Sequence, residues 1–275
     1  MTRTSNSRPG YLNLGCGRRV HPAWENVDFV AAAPGVRACD LRNGIPYPDA
    51  SFFAVYHSHL LEHFSKEAAP AFLRECCRVL KPGGTIRVAV PDLERIARLY
   101  LEALEKSVGG ETSWKARYEW ILLEMYDQTV RETSGGEMLV YVRRDPIPEK
   151  DFVAGRLGGE LQYMAAPSAR PATDITFNFS WLRNFVARKI ARLALGSEGM
   201  RLYDIGRFRR SGEIHRWMYD RYSLAQVLEQ AGFVAPKRIG PSESSIPGWP
   251  AFNFDTEPDG RTYKPDSLYM EAVRP

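Results

Sequence analysis

Short apolar segments alternate with turn residues from Tyr11 to Val90. Five of these segments have the length and composition of β-strands. Before the last of them lies a stretch, residues 65–80, whose apolar positions recur at helical spacing until Lys81-Pro-Gly-Gly84 ends it. Because strands that alternate with helical crossovers pair in parallel, the pattern predicts a doubly wound α/β sheet. The predicted strands are residues 11–14, 26–30, 36–40, 53–57 and 85–90.

The pattern changes after the fifth predicted strand. Residues 93–106 and 113–129 have the periodicity of helices, whereas residues 131–173 mix glycine, proline and charged residues without a period. Another amphipathic helix is predicted over residues 179–195. We therefore expect residues 94–212 to form a helical insertion that acts as a lid over one edge of the sheet.

The strand and helix signals of the first part return near the C-terminus. A short helix is predicted over residues 223–231, with Ser223 as its N-cap. Strands are predicted at residues 234–239 and 267–273, joined by a long loop rich in proline and glycine. Residues 213–275 are thus expected to complete the sheet of a single α/β domain.

Composition adds limits rather than a function. Hydrophobic residues at 44% and charged residues at 25% are ordinary for a soluble globular protein. The polar N-terminus does not resemble a signal peptide, no apolar run is long enough to span a membrane, and the four cysteines have no disulfide spacing. A cytoplasmic protein is the resulting expectation. The net charge of +4 is too small to indicate a nucleic-acid partner.

Candidate chemistry begins at a glycine turn. Gly15-Cys-Gly17 follows the first predicted strand, where the absence of side chains lets a ligand approach the backbone. Open parallel sheets bind ligands at this end of their strands. Asp28 closes the second strand, where a carboxylate can accept both hydroxyls of a ribose, and Asp40 closes the third, near where an adenine edge would lie. Such turns also serve dinucleotides, and strand-end carboxylates are common without any ligand.

Five motifs, in order, resemble a known family. They are residues 12–17 (LNLGCG), 26–28 (NVD), 45–52 (IPYPDASF), 58–63 (SHLLEH) and 78–84 (RVLKPGG). Together they resemble the cofactor half of class I S-adenosylmethionine-dependent methyltransferases, most closely the methyltransferase type 11 branch. The resemblance covers residues 11–93 and, less specifically, 215–234. It implies a Rossmann-like, mostly parallel seven-stranded sheet and S-adenosyl-L-methionine as the cofactor.

The resemblance also implies a role for individual residues. Gly15 and Gly17 would lie against the amino-acid part of the cofactor, Asp28 against its ribose, and Asp40 beside its adenine. Only residues 18–25 are available for the usual first helix, so that helix must be short or absent, and Arg18 could pair with the cofactor carboxylate in its place. The implied cofactor-binding set is Asn13, Gly15, Cys16, Gly17, Arg18, Asp28, Phe29, Asp40, Leu41, His57 and Ser58.

Histidines are the catalytic candidates. Methyl transfer to oxygen requires an aligned acceptor and removal of its proton near neutral pH, which suits histidine. His59 and His63 follow the fourth strand, and His215 precedes the C-terminal helix. His59-x-x-Glu62-His63 also resembles a metal-binding motif of ubiquinone-pathway O-methyltransferases, and on a helix its three side chains would share a face for a divalent ion such as Mg²⁺. A structural role for these residues is the alternative.

Basic residues are concentrated in residues 183–210, from Arg183 to Arg210. With Phe185, Ile190 and Leu193 on an opposing face, this stretch could rest on an anionic membrane surface or hold a phosphorylated acceptor. A solvated helix face is the alternative.

The expected reaction is methylation of a hydroxyl on a sugar, glycan or small natural product. The sequence leaves open O- against N- or C-methylation, the acceptor, and a homodimer against a monomer. A nicotinamide-dependent oxidoreductase is an alternative, although a third glycine and a Tyr-x-x-x-Lys motif are missing. A non-catalytic S-adenosylmethionine-binding partner of a glycan-assembly enzyme is the other.

Overall fold

Seven strands form one sheet in a computed structural model of the protein. The structure describes residues 10–166 and 179–275. The strands are β1 (Tyr11–Leu14), β2 (Trp24–Asp28), β3 (Val36–Ala38), β4 (Phe52–Ser58), β5 (Leu80–Pro91), β6 (Val234–Ile239) and β7 (Ser267–Val273). Their order across the sheet is β3-β2-β1-β4-β5-β7-β6. β1 to β5 are parallel, and β7 is antiparallel to both β5 and β6. The mostly parallel seven-stranded α/β sheet predicted from the sequence is confirmed.

Helices follow the strands and fill most of the middle of the chain. A π-helical turn, Leu123–Asp127, lies between the third and fourth of them. Side chains of the long helix α8 are described from Lys189 onward. The helices are α1 (Ala69–Val79), α2 (Leu93–Val108), α3 (Thr112–Leu122), α4 (Gln128–Val130), α5 (Gly136–Val142), α6 (Lys150–Leu157), α7 (Glu160–Ala165), α8 (Phe179–Arg209), α9 (Arg221–Gln230) and α10 (Trp249–Phe252).

One face of the sheet packs against α1 and α9. Successive side chains of a strand point to opposite faces, so Leu12 and Leu14 of β1 share this face. Leu73 of α1 and Leu224 of α9 are fully buried in the same core. The apolar positions of α1 recur every three or four residues, which is why this helix presents a continuous apolar stripe to the sheet.

The opposite face of the sheet is covered by aromatic side chains of the segment between β6 and β7. Phe254 stacks on Tyr56 of β4 at 5.0 Å between ring centroids, and its ring lies 5.1 Å from that of Trp24. Residues 15–23 contain no helix, as their shortness predicted. The aromatic loop therefore covers strand surface over which no helix passes between β1 and β2.

A second apolar core lies among the helices that follow β5. Ile96 of α2, Trp120 of α3, Tyr141 of α5 and Val153 of α6 are buried together. No periodic pattern was found in residues 131–173, whereas the structure contains α5, α6 and α7 there. These helices are six to eight residues long, too short for a periodic signal to stand out from the glycines and prolines around them.

The start of α9 corrects a predicted cap. Asp220, not Ser223, is the N-cap, and its carboxylate accepts hydrogen bonds from the amides of Tyr222 and Ser223 at 2.9 and 2.8 Å. The Ser223 hydroxyl in turn accepts from the amide of Asp220, which completes a capping box. Ser223 therefore belongs to the cap but occupies the third helical position.

The helix predicted over residues 179–195 extends to Arg209, with a break at Gly196, where φ is +67°. Ile190 and Leu193 are exposed on it. The Arg183, Phe185 and Arg188 side chains fall outside those that the structure describes, so the predicted membrane contact of residues 183–210 stays a prediction. Within the described residues, no helix is both long and apolar enough to cross a membrane.

Candidate active site

A cavity of about 630 Å³ opens at the carboxyl ends of β1 to β4. One wall comes from the turns after β1, β2 and β3, and the other from the turn after β4 together with α1. Ligands of open parallel sheets bind at this edge. Seven of the predicted cofactor-binding and catalytic residues line the cavity, namely Gly15, Asp28, Phe29, Asp40, Leu41, His59 and His63.

The glycine turn and Asp28 are built as one unit. Gly15 has a φ of +62°, and a Cβ there would stand 3.0 Å from the Leu60 side chain, so a larger residue would clash as well as strain the backbone. The amide of Gly17 donates to Asp28 Oδ2 at 2.7 Å, and that of Phe29 donates to Oδ1 at 2.6 Å. These bonds hold the Asp28 carboxylate at the cavity wall.

Asp40 and Leu41 stand at the next turn. The Asp40 carboxylate accepts bonds from the Arg42 guanidinium at 2.7 and 2.8 Å, and this partner lowers the pKa of the carboxyl group. It also accepts from the Arg42 amide and caps the short turn Leu41–Asn43. Leu41 is buried, while the Phe29 ring is 58% exposed at the same wall. The two side chains supply apolar surface suited to an aromatic ring.

Three residues of the implied cofactor set serve the architecture behind the glycine turn. Asn13 is buried and donates to the Arg19 carbonyl at 2.8 Å and to Asn26 Oδ1 at 3.0 Å. Cys16 is buried, and burial raises the pKa of its thiol to about 11. The Arg18 guanidinium lies 4.4 Å from the ring centroid of Tyr163 in α7. Neither these residues nor Gly17 and Ser58 line the cavity.

His57 is placed in the core rather than in the cavity. Its side chain is fully buried and lies edge-on to Phe72 of α1, with ring centroids 5.4 Å apart. Burial lowers the pKa of this imidazole to about 3. The strand alternation that puts Val55 against α1 puts His57 there too, so this member of the implied cofactor-binding set does not line the cavity.

His59 stands where the chain leaves β4. It has a φ of +49°, and its Nε2 lies 2.7 Å from the Ser267 hydroxyl at the start of β7. Its Nδ1 lies 3.5 Å from Glu62 Oε1. Burial, with the nearby charge of Lys264, lowers the pKa of this imidazole well below its usual value.

His63, His215 and Glu62 meet behind the same wall. The Nδ1 of His63 lies 3.1 Å from the Ile214 carbonyl, and the rings of His63 and His215 are 4.9 Å apart. His215 Nε2 is 3.8 Å from Glu62 Oε1. Burial lowers the pKa of both imidazoles, so both are neutral near pH 7. Burial also raises the pKa of Glu62 to about 8.

The predicted metal set is regrouped by the structure. Residues 59–63 do not form a helix, because only Leu61–His63 make a 3-10 turn and His59 is left-handed. The face expected from helical spacing is therefore absent. Donor atoms of Glu62, His63 and His215 instead lie within 4.8 Å of one another. His215 does not line the cavity, so of the three candidate bases only His59 and His63 do.

Sequence reasoning missed part of the cavity wall. Ala68, Ala71 and Phe72 line it from the start of α1, and Arg216 lines it from the segment before α9. Arg210, which ends the basic stretch of residues 183–210, also lines the cavity. The helical pattern of residues 65–80 indicated the helix but not which turn would face a ligand. Arg216 lies in the aromatic and basic stretch around His215, the one local signal for this side of the cavity.

Comparison with known proteins gives a match to one family model, described as a methyltransferase domain, over residues 13–88. No match was found among curated proteins. The match to the [4+2]-cyclase SpnF is 24% identical, covers 29% of this chain and 38% of the cyclase, and has a TM-score of 0.26. A methyltransferase of Thermotoga maritima, described as a possible histamine N-methyltransferase, is 13% identical; the match covers 96% of this chain and 82% of that protein, with a TM-score of 0.39. A methyltransferase of Archaeoglobus fulgidus is also 13% identical; the match covers 96% of this chain and 85% of that protein, with a TM-score of 0.37. These TM-scores are too low to bear on the reaction.

The family match covers the strands and turns that build the cavity wall. Around it lies the mostly parallel seven-stranded sheet expected of that class. Residues 13–88 thus match a methyltransferase domain, in agreement with the resemblance to class I S-adenosylmethionine-dependent methyltransferases seen in the motifs.

Proposed function

We propose that the chain binds S-adenosyl-L-methionine in this cavity and transfers its methyl group to a hydroxyl of a sugar, glycan or small natural product. The observation that carries the proposal is the convergence, at one sheet edge, of a glycine turn, a held carboxylate and two neutral histidines. Gly15 and Asp28 stand on one wall, and His59 and His63 on the other.

The first wall fits the three parts of the cofactor. Gly15 lines the cavity without a side chain, which suits the amino-acid part, and Arg18, outside the cavity lining, stays the predicted partner of its carboxylate. Asp28 has carboxylate lone pairs left for ribose hydroxyls beyond the two amides it accepts. Phe29 and Leu41 offer apolar surface for the adenine.

The second wall fits an acceptor that loses a proton. A methyl group passes from sulfonium to oxygen by in-line displacement, so the protein must align the acceptor and accept its proton. His59 and His63 are neutral imidazoles at the cavity, and either has the chemistry for this step. His215 could reach the acceptor only through its neighbours.

Calorimetric binding of S-adenosylmethionine and S-adenosylhomocysteine tests the cofactor site. Asp28→Ala should weaken both by roughly 100-fold, because two hydrogen bonds to a charged acceptor are lost. Asp28→Asn, which keeps one acceptor oxygen, should lose less. The exposed Asp259→Ala is the matched control and should bind like the wild type. Undiminished binding by Asp28→Ala would place the cofactor elsewhere.

The alternatives are separated by the same titration. A folded wild type that ignores both ligands but binds a nicotinamide dinucleotide would favour the oxidoreductase. Once screening with radiolabelled methyl donor identifies an acceptor, alanine at the catalytic histidine should lower turnover by about 10²- to 10⁴-fold with cofactor affinity retained. Cofactor binding without turnover on any acceptor, and indifference to the loss of His59 and His63, would favour the non-catalytic partner.

Contact of residues 183–210 with an anionic membrane belongs to the same proposal. Lys189 and Arg192 flank the exposed Ile190 and Leu193, an arrangement that suits a surface of acidic headgroups. The protein should co-sediment with vesicles of acidic lipid but not with vesicles of neutral lipid. A homodimer is tested by light scattering of the same preparation.

A further inference from the structure

Glu62 is a buried carboxylate without a hydrogen bond to either side-chain oxygen. Its side chain has no exposed surface, and neither Oε1 nor Oε2 has a hydrogen-bond partner in the described part of the chain. The imidazoles nearest to it, His59 and His215, remain at 3.5 and 3.8 Å from Oε1. An isolated buried carboxylate costs several kcal/mol, so Glu62 must either hold a proton or have a cation beside it.

Nitrogen donors face the same point. The Nε2 of His215 lies 3.8 Å from Glu62 Oε1, and its Nδ1 has no hydrogen-bond partner in the regions that the structure describes. His63 uses Nδ1 to donate to the Ile214 carbonyl, which leaves Nε2 as its lone-pair nitrogen. A backbone carbonyl that orients one ring nitrogen while the other binds an ion is the usual surrounding of a metal-ligating histidine.

Main-chain bonds hold this group together in the absence of any ion. The Glu62 carbonyl accepts from the amides of Arg216 and Trp217 at 2.7 and 3.2 Å, which ties the turn after β4 to the segment that carries His215. The His215 amide donates to the Gln128 carbonyl at 3.0 Å. The donors are therefore pre-positioned by three separate parts of the fold, as a built site requires.

We infer that Glu62, His63 and His215 form a binding site for one divalent transition-metal ion. Their donor atoms lie within 4.8 Å of one another, close enough for small side-chain shifts to bring all three onto one ion. Two imidazoles and one carboxylate suit Zn²⁺, Co²⁺, Mn²⁺ or Fe²⁺, whereas Mg²⁺ prefers oxygen ligands. This set differs from His59, Glu62 and His63, the set that sequence spacing suggested.

The position of the ion has a consequence for the cavity. His63 is both a ligand and part of the cavity wall, and three protein ligands leave a coordination position open. An oxygen of the acceptor could take that position, and His59 would then be the remaining cavity histidine free to accept a proton. This consequence, unlike the ion site itself, rests on the proposed function.

Titration of the chelator-stripped full-length chain with Co²⁺ tests the ion site directly. Visible d–d absorption should saturate at about one ion per chain and vanish on addition of Zn²⁺, while millimolar Mg²⁺ should not compete. Glu62→Gln and His215→Asn should each weaken Co²⁺ binding by at least roughly 100-fold. His21→Gln, outside the cluster, and His59→Gln, next to it but not a ligand, should stay within a few-fold of wild type.

Three results would overturn the inference: no Co²⁺ or Zn²⁺ binding by folded wild type, wild-type affinity in Glu62→Gln, or a loss in His59→Gln as large as in Glu62→Gln. Circular dichroism and S-adenosylhomocysteine binding show that each variant is folded. If the chain binds Co²⁺ but no S-adenosylhomocysteine, the ion site is supported and the proposed function is contradicted. If it binds S-adenosylhomocysteine but no Co²⁺, the proposed function is supported and the ion site is contradicted.

Discussion

His57 is an imidazole held neutral inside the core. Its two ring nitrogens have no hydrogen-bond partner among the described residues, and its ring packs against Phe72. Protonation would place a charge in this apolar surrounding, which is why burial lowers its pKa to about 3 from the ordinary 6.5. The unfolded chain exposes the same ring to water and binds the proton far more readily.

The stability of the fold should therefore fall as the pH falls below 6.5, since only the unfolded state takes up this proton between the two pKa values. At pH 5 the loss from His57 should be roughly 2 kcal/mol relative to pH 7.5. Urea unfolding of His57→Leu at both pH values should show a smaller acid loss by about that amount. A variant at His21 is the control, and an equal acid loss in His57→Leu would contradict the buried neutral state.

One backbone angle separates the roles of His57 and His59. Both were expected near the reacting groups because His57 ends the predicted fourth strand and His59 follows it closely in sequence. The strand carries His57 into the core, and the left-handed φ of +49° at His59 then turns the next histidine toward the cavity. Sequence periodicity could predict the strand but not a positive φ at a non-glycine residue, so it could not separate the positions of these two histidines.

At the scale of elements, α9 depends on its cap because it is short and its first turn has little packing to stabilise it. Tyr222 in that turn is exposed. Its capping box satisfies amide groups that the helix itself leaves without partners. The sequence signal was read one turn late, since Asp220 and Ser223 are both good capping residues and only geometry decides which one precedes the helix.

Asp220→Ala should destabilise the protein by about 1 kcal/mol, because two amides lose their acceptor. Ser223→Ala should cost less, since it leaves the Asp220 carboxylate on both amides and removes only the bonds between the Ser223 hydroxyl and Asp220. Thermal unfolding of the two variants and of the double variant measures the difference. If Ser223→Ala proved the more damaging change, the assignment of the cap would be wrong.

At the scale of the whole molecule, the sequence predicted the strands of the sheet better than it predicted the helices that surround them. Strand-and-turn patterns and the five motifs depend only on residues that are neighbours in sequence. The positions of β1 to β5 could therefore be predicted from the sequence. The second core brings together α2, α3, α5 and α6, the first and last of which are far apart in sequence. His215 and Glu62 are also far apart in sequence but lie side by side in the structure. Such pairings leave no local pattern, which is why the helices of residues 131–173 and the regrouped cluster appear only in three dimensions.

Arg87 of β5 joins the outer strands to the aromatic loop on the far face of the sheet. It is fully buried, donates to Asp255 at 2.8 Å and to Glu271 at 3.1 Å, and lies 4.2 Å from the Trp249 ring centroid. Carbonyls of Glu243, Gly240 and Pro241 accept its other hydrogens. All five guanidinium donors are thus used, and the loop is fixed over the sheet by one side chain.

Replacing Arg87 with Met should cost roughly 3–5 kcal/mol of unfolding free energy, because Asp255 and Glu271 would stay buried without their cation. Adding Asp255→Asn should recover part of the loss by removing one of the stranded charges. Arg98→Met, which breaks only the exposed pair with Glu94, is the matched control and should cost less than about 1 kcal/mol. Urea unfolding gives all three values. An Arg87 variant no less stable than the Arg98 variant would mean that the aromatic packing alone holds the loop on the sheet, and that the charges beneath it contribute nothing.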